Sequence, residues 1–501
     1  MSSFITTSNN TRIPLDNIPV VPYSDFLRAN VEVVRDVNYH CVQYFGFIHR
    51  GRLKLVSCIA NDATASILIS STEINPDTDE GFPSFTAHEM QFHLFERILH
   101  EKFAIKYSDH PWLKPVRYPF DRAEMSNRIE NYPFYHIDSE ELHEVGVGPI
   151  HAGTIEPGHF RFICNGEQIL HLEIQRGYQH RGIEQLFLTK KNLLQRTLLA
   201  ESISGDAVAG HTTAFVNLWE ALCGFEAPAE IRFARTVALE LERIAVHTGD
   251  LSAICTDIGY QLGSAVFGRL RTPIINFLQE WCGNRLGKSL IRVANNPWPF
   301  SRTLASRLES IFLDYEKDFD EMWREFHKLP SALARLEKTG VLSRDLAVSL
   351  GTVGPTARSS GLMRDIRATH PHGIYHQFSP IAIVKHHGDV YSRARLRHDE
   401  IVQSIYYLRR IIRKPPEPAT APVAIGKPAP DTFAIALTEG WRGEICHCAI
   451  TNEKGELSEL RIKDPSMHNW MALALAVRNN EISDFPICNK SFNLSYSGHD
   501  L

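Results

Sequence analysis

No pair of cysteines in this 501-residue chain has C-x-x-C spacing, and no stretch reaches the roughly 18 apolar residues of a membrane-spanning helix. A G-x-G-x-x-G fingerprint for dinucleotides is also missing, as is any internal repeat. Positive charge is not in excess: 53 Lys and Arg stand against 58 Asp and Glu, a net charge of −5, so no nucleic-acid footprint is present. Basic runs such as "RLRHDE" and "LRRIIRK" read as solvated helix faces. The start, "MSSFITTSNNTRIPLDN", has no apolar core segment, so no secretory signal and a cytoplasmic location are expected. The nine cysteines are scattered, and only Cys446 and Cys448 lie close, on either side of His447. On a strand those two would share a face. They read as small buried hydrophobes of a reducing compartment rather than as metal ligands.

What is present is ordinary globular material, 43% hydrophobic and 22% charged, long enough for two cores. The fold class expected is α+β. Residues 1–125 read as a small α/β unit, with β-rich runs "RLKLVSCIA" and "ATASILISS" and a helical pattern in "AHEMQFHLFERILHEKFAI". A second unit over 140–501 begins with "EVGVGPIHAGTIEPGHFRFICNGEQILHLEI", a hairpin or meander turned by Gly and Pro. Long segments of helical period follow, among them "EIRFARTVALELERIAVHTGDLSAI" and "LASRLESIFLDYEKDFDEMWREFHKL", at lengths that suit an antiparallel bundle. The charged residues Glu240, Glu242, His247 and Asp250 of the former point to a solvated or subunit-facing side. The proline-rich segment 413–430 reads as an extended surface loop. "DTFAIALTEGWRGEICHCAITNEKGELSELRI" then reads as a hairpin turning at "NEKGE", followed by the helix "NWMALALAVRNN" and a polar tail.

Several short blocks occur in a telling order. "GPIHAGTIEPGHFRF" (148–162), "HRGIEQL" (180–186), "ESISGDAVAGH" (201–211), "GTVGPTARSSG" (351–361), "DVYSRARLRHDEIVQS" (389–404), "EGWRGE" (439–444) and "KDPSMHNW" (463–470) together resemble the large subunit of group 4, energy-converting [NiFe]-hydrogenases and the related 49 kDa subunit of complex I. The first 125 residues resemble the 30 kDa subunit of complex I, through "FERILHEKFAIKYSDHPWLKPVRYP". The resemblance covers nearly the whole chain and implies a hydrogenase large-subunit fold behind a 30 kDa-like domain.

The departures from that pattern are as informative as the matches. In the hydrogenases the first metal motif reads roughly E-R-I-C-G-x-C-x-x-x-H and the last D-P-C-x-x-C. Here the four thiolate positions hold Ser204, Ala207, Ser466 and Asn469. Alanine cannot coordinate, and neutral hydroxyl and amide oxygens are poor ligands for a soft metal. The sequence also runs on past the D-P motif to "CNKSFNLSYSGHDL", instead of stopping at the histidine where hydrogenase maturation proteases cut. The chain therefore resembles the metal-free, hydrogenase-4 component G-like subunits of this family, with no metal or cofactor of its own.

The resemblance implies roles for particular residues. Glu184 of "HRGIEQL" takes the position of a proton-passing glutamate, with an ion pair to Arg181 as the plainer alternative. His151 fits the histidine of a quinone-binding loop, with Glu156 and His159 nearby, but no tyrosine lies between Tyr178 and Tyr260 to match the second quinone residue. Asp206 is an acid inside the emptied motif, either a polar replacement or a helix N-cap, and His211 closes that motif as a core histidine. Arg358, Asp365, Arg393, Arg397 and Arg442 are expected to brace the cavity walls, the arginines through carboxylates such as Glu444. An iron–sulfur small subunit, antiporter-like membrane subunits and quinone are the partners implied, at the cytoplasmic face of the inner membrane.

Overall fold

The long strands of the first unit are rich in β-branched and aromatic residues and are sealed on both sides. In the computed structural model, which describes residues 3–76, 81–153, 155–378, 380–417 and 424–501, strands β1 (Ile5–Thr7) and β2 (Thr11–Pro14) precede helix α1 (Tyr23–Val34). Strands β3 (Tyr39–His49), β4 (Arg52–Asn61) and β5 (Ser66–Ile74) follow, then the short β6 (Phe82–Pro83), α2 (His93–Phe103) and β7 (Tyr107–Ser108). An antiparallel sheet runs in the order β1-β5-β4-β3. Its one face sets Cys41, Leu55 and Ile59 against Phe26 of α1 and Phe95 and Leu99 of α2. Its other face packs Phe45, Val56 and Cys58 against strands from the far end of the chain. That double covering explains why β4 is buried along nearly all its length rather than on alternate residues.

A meander of β8 (His143–Val147), β9 (His159–Asn165) and β10 (Gln168–Gln175) opens the second unit, with β9 in the middle. Helices α3 (Ile183–Thr189), α4 (Leu193–Ala200), α5 (Val208–Cys223), α6 (Ala229–Asp257), α7 (Gln261–Cys282) and α8 (Arg302–Phe326) come next. Four short helices, α9 (Pro330–Leu336), α10 (Arg344–Ser349), α11 (Gly354–Ser359) and α12 (Ile366–Thr369), lead to the long α13 (Val390–Ile412). α8 shows why such segments fold as they do. Leu308, Ile311, Phe312, Tyr315, Phe319 and Met322 recur at spacings of three and four and form its buried stripe. α6 is different: it packs against α5, α7, α13 and α15 (Phe485–Phe492), and its charged residues lie inside. Glu240 and His247 are fully buried and Asp250 nearly so, which corrects the solvated face expected from sequence. Residues 418–423 of the proline-rich segment lie outside the described residues.

The last part is a three-stranded meander, β11 (Thr432–Gly440), β12 (Gly443–Thr451) and β13 (Leu457–Lys463), rather than one hairpin. It has a tight turn at Trp441–Arg442 in addition to the one after Thr451. The turn at Trp441 was hidden because its residues are neither Gly nor Pro, and the glycines flank it at 440 and 443. Strand β2 joins this sheet beside β11, giving the order β13-β12-β11-β2. Cys446 and Cys448 do share a face, 3.8 Å apart at sulfur, and lie in the apolar layer with Cys58. Helix α14 (Ser466–Ala476) starts at the D-P motif itself, and α15 and α16 (Tyr496–Asp500) follow.

The expected polar tail is a buried element. Phe485 stacks edge-on against Phe160 and Phe162 of β9 at 4.9 and 4.8 Å. Its removal would cost roughly 3–5 kcal/mol on the scale of buried aromatic truncations. His499 and Asp500 are fully buried, and the carbonyl of Leu501 accepts the backbone N–H groups of Arg181 and Ile183. Asp500 is tolerated there because its carboxylate accepts the N–H of Gln179 and pairs with His499.

Candidate functional site

Three chain segments and the tail meet at the emptied metal motif. The loop 201–207 joins α4 to α5, the D-P motif joins β13 to α14, the Trp441–Arg442 turn joins β11 to β12, and residues 493–498 run between them. Ser495 knits the first two. Its backbone N–H donates to Ser466 Oγ at 2.8 Å, and its hydroxyl lies 3.1 Å from Ser204 Oγ. Ala207 is buried without a polar atom, and Asn469 exchanges two hydrogen bonds with the backbone of Val353. Of the four thiolate positions, 204 and 466 are thus bridged by a serine and 469 is turned to a neighbouring loop. Two hydroxyls, a methyl and an occupied amide do not fit a nickel–iron centre. Among the described residues no cluster of three His, Cys, Asp or Glu side chains could hold a metal ion.

An ion pair stands beside these serines. Arg442 meets Asp206 with two nitrogens, Nη1 to Oδ1 at 3.0 Å and Nη2 to Oδ2 at 2.6 Å, while Ser204 donates to Asp206 Oδ1 at 2.8 Å. Burial works to raise the Asp206 pKa, but the charge and hydrogen bonds of Arg442 outweigh it and hold the carboxyl below its ordinary value. Asp206 is therefore a paired anion, and it makes no cap bond to α5. Glu444, expected from sequence to pair with one of the arginines, bonds Lys463 and His40 instead. Arg442 also lies over Trp441, 4.0 Å from ring centre, and donates from Nε to the carbonyl of Asn493 at 2.5 Å. Asn493 donates in turn to Asp250, which is held by Arg397 at 2.7 Å.

Behind the motif sits a second layer of titratable groups. His211 Nε2 bonds Asp464 at 3.0 Å and its Nδ1 faces His447 at 3.2 Å. Burial would raise Asp464, yet hydrogen bonds from His211 and Ser466 and the Arg442 charge bring it down to about 2. Burial keeps His447 well below the ordinary histidine value. Glu242 of α6 accepts the backbone N–H groups of Ala209 and Gly210 at 2.7 and 3.2 Å. Among the described residues no cation forms an ion pair with it, and burial pushes it up to about 8 against the pull of those two N–H groups. A Cβ at Gly210 would come within 2.7 Å of Ile445 Cδ1, so that side chain would have to shift to admit one. Sequence patterning did not single out Ser495, Asp464 or Glu242 as site residues, although the D-P motif and the acidic α6 were visible.

The remaining expected residues divide into two groups. His151 donates from Nε2 to the carbonyl of Gly158 at 2.7 Å, and His159 from Nδ1 to that of Gly148 at 3.1 Å, so both rings brace their own loop. Glu156 reaches the tail, accepting the N–H groups of Tyr496 and Ser497 at 3.3 and 3.2 Å. Arg181 donates to the carbonyls of Ser202, Ile203 and Ser497, and so touches the emptied motif directly. It does not pair with Glu184. Glu184 instead accepts Arg461 at 3.2 Å and the N–H of Ile462 at 2.8 Å, clamping α3 to β13. No hydrogen bond or ion pair among the described residues links it to Ser204, Asp206 or Ser466.

The other arginines brace a buried ionic core between α6 and α13. Arg358 bonds Glu400 and Glu439 at 2.9 and 2.8 Å, and Arg367 bonds Asp365 at 2.8 Å and Glu240 at 3.2 Å. His247 bonds Glu400 at 2.8 Å. Arg393 is the exception to carboxylate pairing: it donates to the carbonyls of Gly388 and Gly340 and to Ser491, with its face on Phe492.

Comparison with known proteins places this geometry. Residues 257–429 match the family of the respiratory-chain NADH dehydrogenase 49 Kd subunit. Hydrogenase-4 component G of Escherichia coli (strain K12) is 26% identical over 379 residues, 76% of this chain and 65% of that protein, so the chain spans just under two thirds of that relative. Membrane-bound hydrogenase subunit alpha of Pyrococcus furiosus is 28% identical over 70% of this chain and 85% of its own length. An NADH-quinone oxidoreductase subunit of Clostridium beijerinckii is 28% identical over 70% of this chain and 94% of its own length. In fold, a chain of the membrane-bound sulfane sulfur reductase, an archaeal respiratory membrane complex, superposes with a TM-score of 0.68 at 18% identity, over 73% of this chain and all of that one.

Proposed function

As a relative of the hydrogenase large subunits and of the complex I 49 kDa subunit, the chain is, we propose, a peripheral-arm subunit of a membrane-bound, complex I-like respiratory assembly. Its metal-free cavity couples electron transfer to proton or ion translocation. Electrons reach it from iron–sulfur clusters of a small partner subunit and leave to quinone or another small acceptor. Antiporter-like membrane subunits move the ion, and the chain sits at the cytoplasmic face of the inner membrane. None of its described helices is long and apolar enough to cross a membrane.

The observation that carries this reading is the replacement of a metal-ligand set by a continuous polar network, Ser204–Asp206–Arg442 with Ser495 and Ser466. A paired carboxylate, a histidine–aspartate pair and a buried glutamate of raised pKa within one site can relay protons without a metal. A second reading, a coupling subunit with no catalysis of its own, is favoured by the tightness of the motif. The space between Gly205, Asp206, Glu242 and Arg271 is only about 20 Å³, room for little more than one water. Purification of the intact complex separates the two. Quinone-dependent oxidation of reduced clusters that is lost in the Arg442→Ala variant supports the oxidoreductase reading. Ion transport in vesicles that survives quinone-site inhibitors supports the coupling reading. A complex without cluster or antiporter subunits would overturn both.

A further inference from the structure

We propose that the cavity between β10, α14 and the 90–135 segment binds a small amphipathic anion, an apolar aromatic body carrying one carboxylate or phosphate group. The inference does not rest on the function proposed above. The cavity measures about 500 Å³, within the range of small-molecule sites. Its walls are Trp112, Tyr132, Leu172, Trp470, Met471 and Leu475, a surface that suits a flat apolar body.

The headgroup follows from charge. Arg176 lines the cavity, is only 7% exposed, and lies 5.6 Å over the Trp470 ring. Among the described residues no carboxylate stands within 4.0 Å of it, its side chain makes no hydrogen bond, and its Nε is a buried donor without a partner. Arg97, beside it, is 4% exposed and among the described residues donates only to the carbonyls of Lys114 and Pro115. The nearby acids are already engaged. Glu173 takes Lys114 at 2.5 Å, the Tyr132 hydroxyl and the Tyr135 N–H. Asp500 accepts the N–H of Gln179 and pairs with His499. Burial, and then the Arg97 charge, holds Arg176 down to about 9 against the pull of the Asp500 charge, which makes no direct ion pair with it.

Trp470 and His93, which also line the cavity, each carry a buried polar atom without a partner, Nε1 and Nδ1. A buried cation with no anion is costly, and removing one partner of a buried pair leaves the same penalty. One oxyanion placed against Arg176 and Arg97 would satisfy both. A neutral amphiphile would gain the apolar walls alone and leave both charges as they are.

Calorimetric titration of the purified complex with 2-naphthoate, 1-naphthyl phosphate and neutral 2-naphthalenemethanol tests the proposal. At least one of the two anions should bind 10-fold or more tightly than the alcohol, and the tighter of the two names the headgroup. Arg176→Met should abolish that preference while leaving the melting temperature equal or higher, because an unpaired buried charge has gone. Equal affinity for anions and alcohol, no binding of either anion, or an unchanged preference in Arg176→Met would each overturn it. The parent titration stands alone should the variant fail to assemble.

Discussion

Arg442 lies against Asp206 with both terminal nitrogens in hydrogen-bond range, at 3.0 and 2.6 Å, inside the motif whose cysteine positions hold Ser204 and Ala207. The pair links the 201–207 loop to the β11–β12 turn, beside the Ser495 bridge that joins the loop to the D-P motif. Arg442 is buried, while Asp206 is partly open to solvent. Asp206→Ala therefore leaves a buried guanidinium unpaired and should destabilise the protein by about 2 kcal/mol, the lower end for a charge pair of this kind. The double variant Asp206→Ala/Arg442→Met should regain part of that loss. Thermal unfolding of the four proteins closes the cycle, and additive losses would mean that the pair contributes nothing. Because Asp206 is held below its ordinary pKa, the pair's contribution is present above the unfolded carboxylate value and fades as pH falls below it.

Elemental analysis of the intact complex should find iron in partner clusters and no stoichiometric nickel. The donor set of Ser204, Ala207, Ser466 and Asn469 is the reason. Stoichiometric nickel accompanied by hydrogen uptake would sink the metal-free reading.

Glu184→Gln keeps an oxygen for the Ile462 N–H and removes the titratable proton. If the carboxylate passes protons, turnover in membrane vesicles should fall by roughly 10²- to 10⁴-fold with normal assembly on a native gel. The bridge to Arg461 is largely buried, and Arg461 keeps Glu459 at 2.8 Å, so its loss should cost about 1–3 kcal/mol. Undiminished turnover with a lowered melting temperature would assign Glu184 to clamping α3 on β13.

Glu242 gives a pH signature of the opposite sign to that of Asp206. Its folded pKa, about 8, lies above that of an exposed glutamate, so the folded state holds its proton more tightly than the unfolded chain. The contribution is full below the unfolded value, roughly pH 4.3, and is lost as pH rises toward and through 8. Melting temperatures from pH 5 to 9 should decline more steeply in the parent than in Glu242→Gln. The glutamine also gives up one of two backbone acceptors, so its curve should be flatter and lower at acidic pH. Parallel curves would remove Glu242 from the set of groups that titrate in this range.

The long helices were legible because apolar spacing alone specifies a buried stripe, as along α8. The emptied motif was legible because spacing survives when ligands are exchanged. What replaced the ligands was not, since Ser495 comes from a segment whose polarity suggested solvent, and a hydroxyl carries no periodic signal. Partners of charged residues were likewise hidden. Arg442 and Glu444 are only two apart in sequence, but Arg442 lies in the β11–β12 turn and meets Asp206, while Glu444 lies on β12 and meets Lys463 and His40. The buried charges of α6 misled for a related reason: a long helix in the middle of a bundle has no solvent side, and its polar residues pair with α13.

Strand β2 completes a sheet whose other members are synthesised some four hundred residues later: Ile13 pairs with Phe433. At the usual 5–20 residues per second, the ribosome needs roughly 20–80 s to bring β11 out after β2. Through that interval β2 is an unpaired ribbon, and until it is seated β11 presents an open edge of main-chain donors and acceptors. Nascent protein should therefore stay dependent on chaperones until β11 has emerged, and cuts between β2 and β11 should yield fragments that aggregate through this edge.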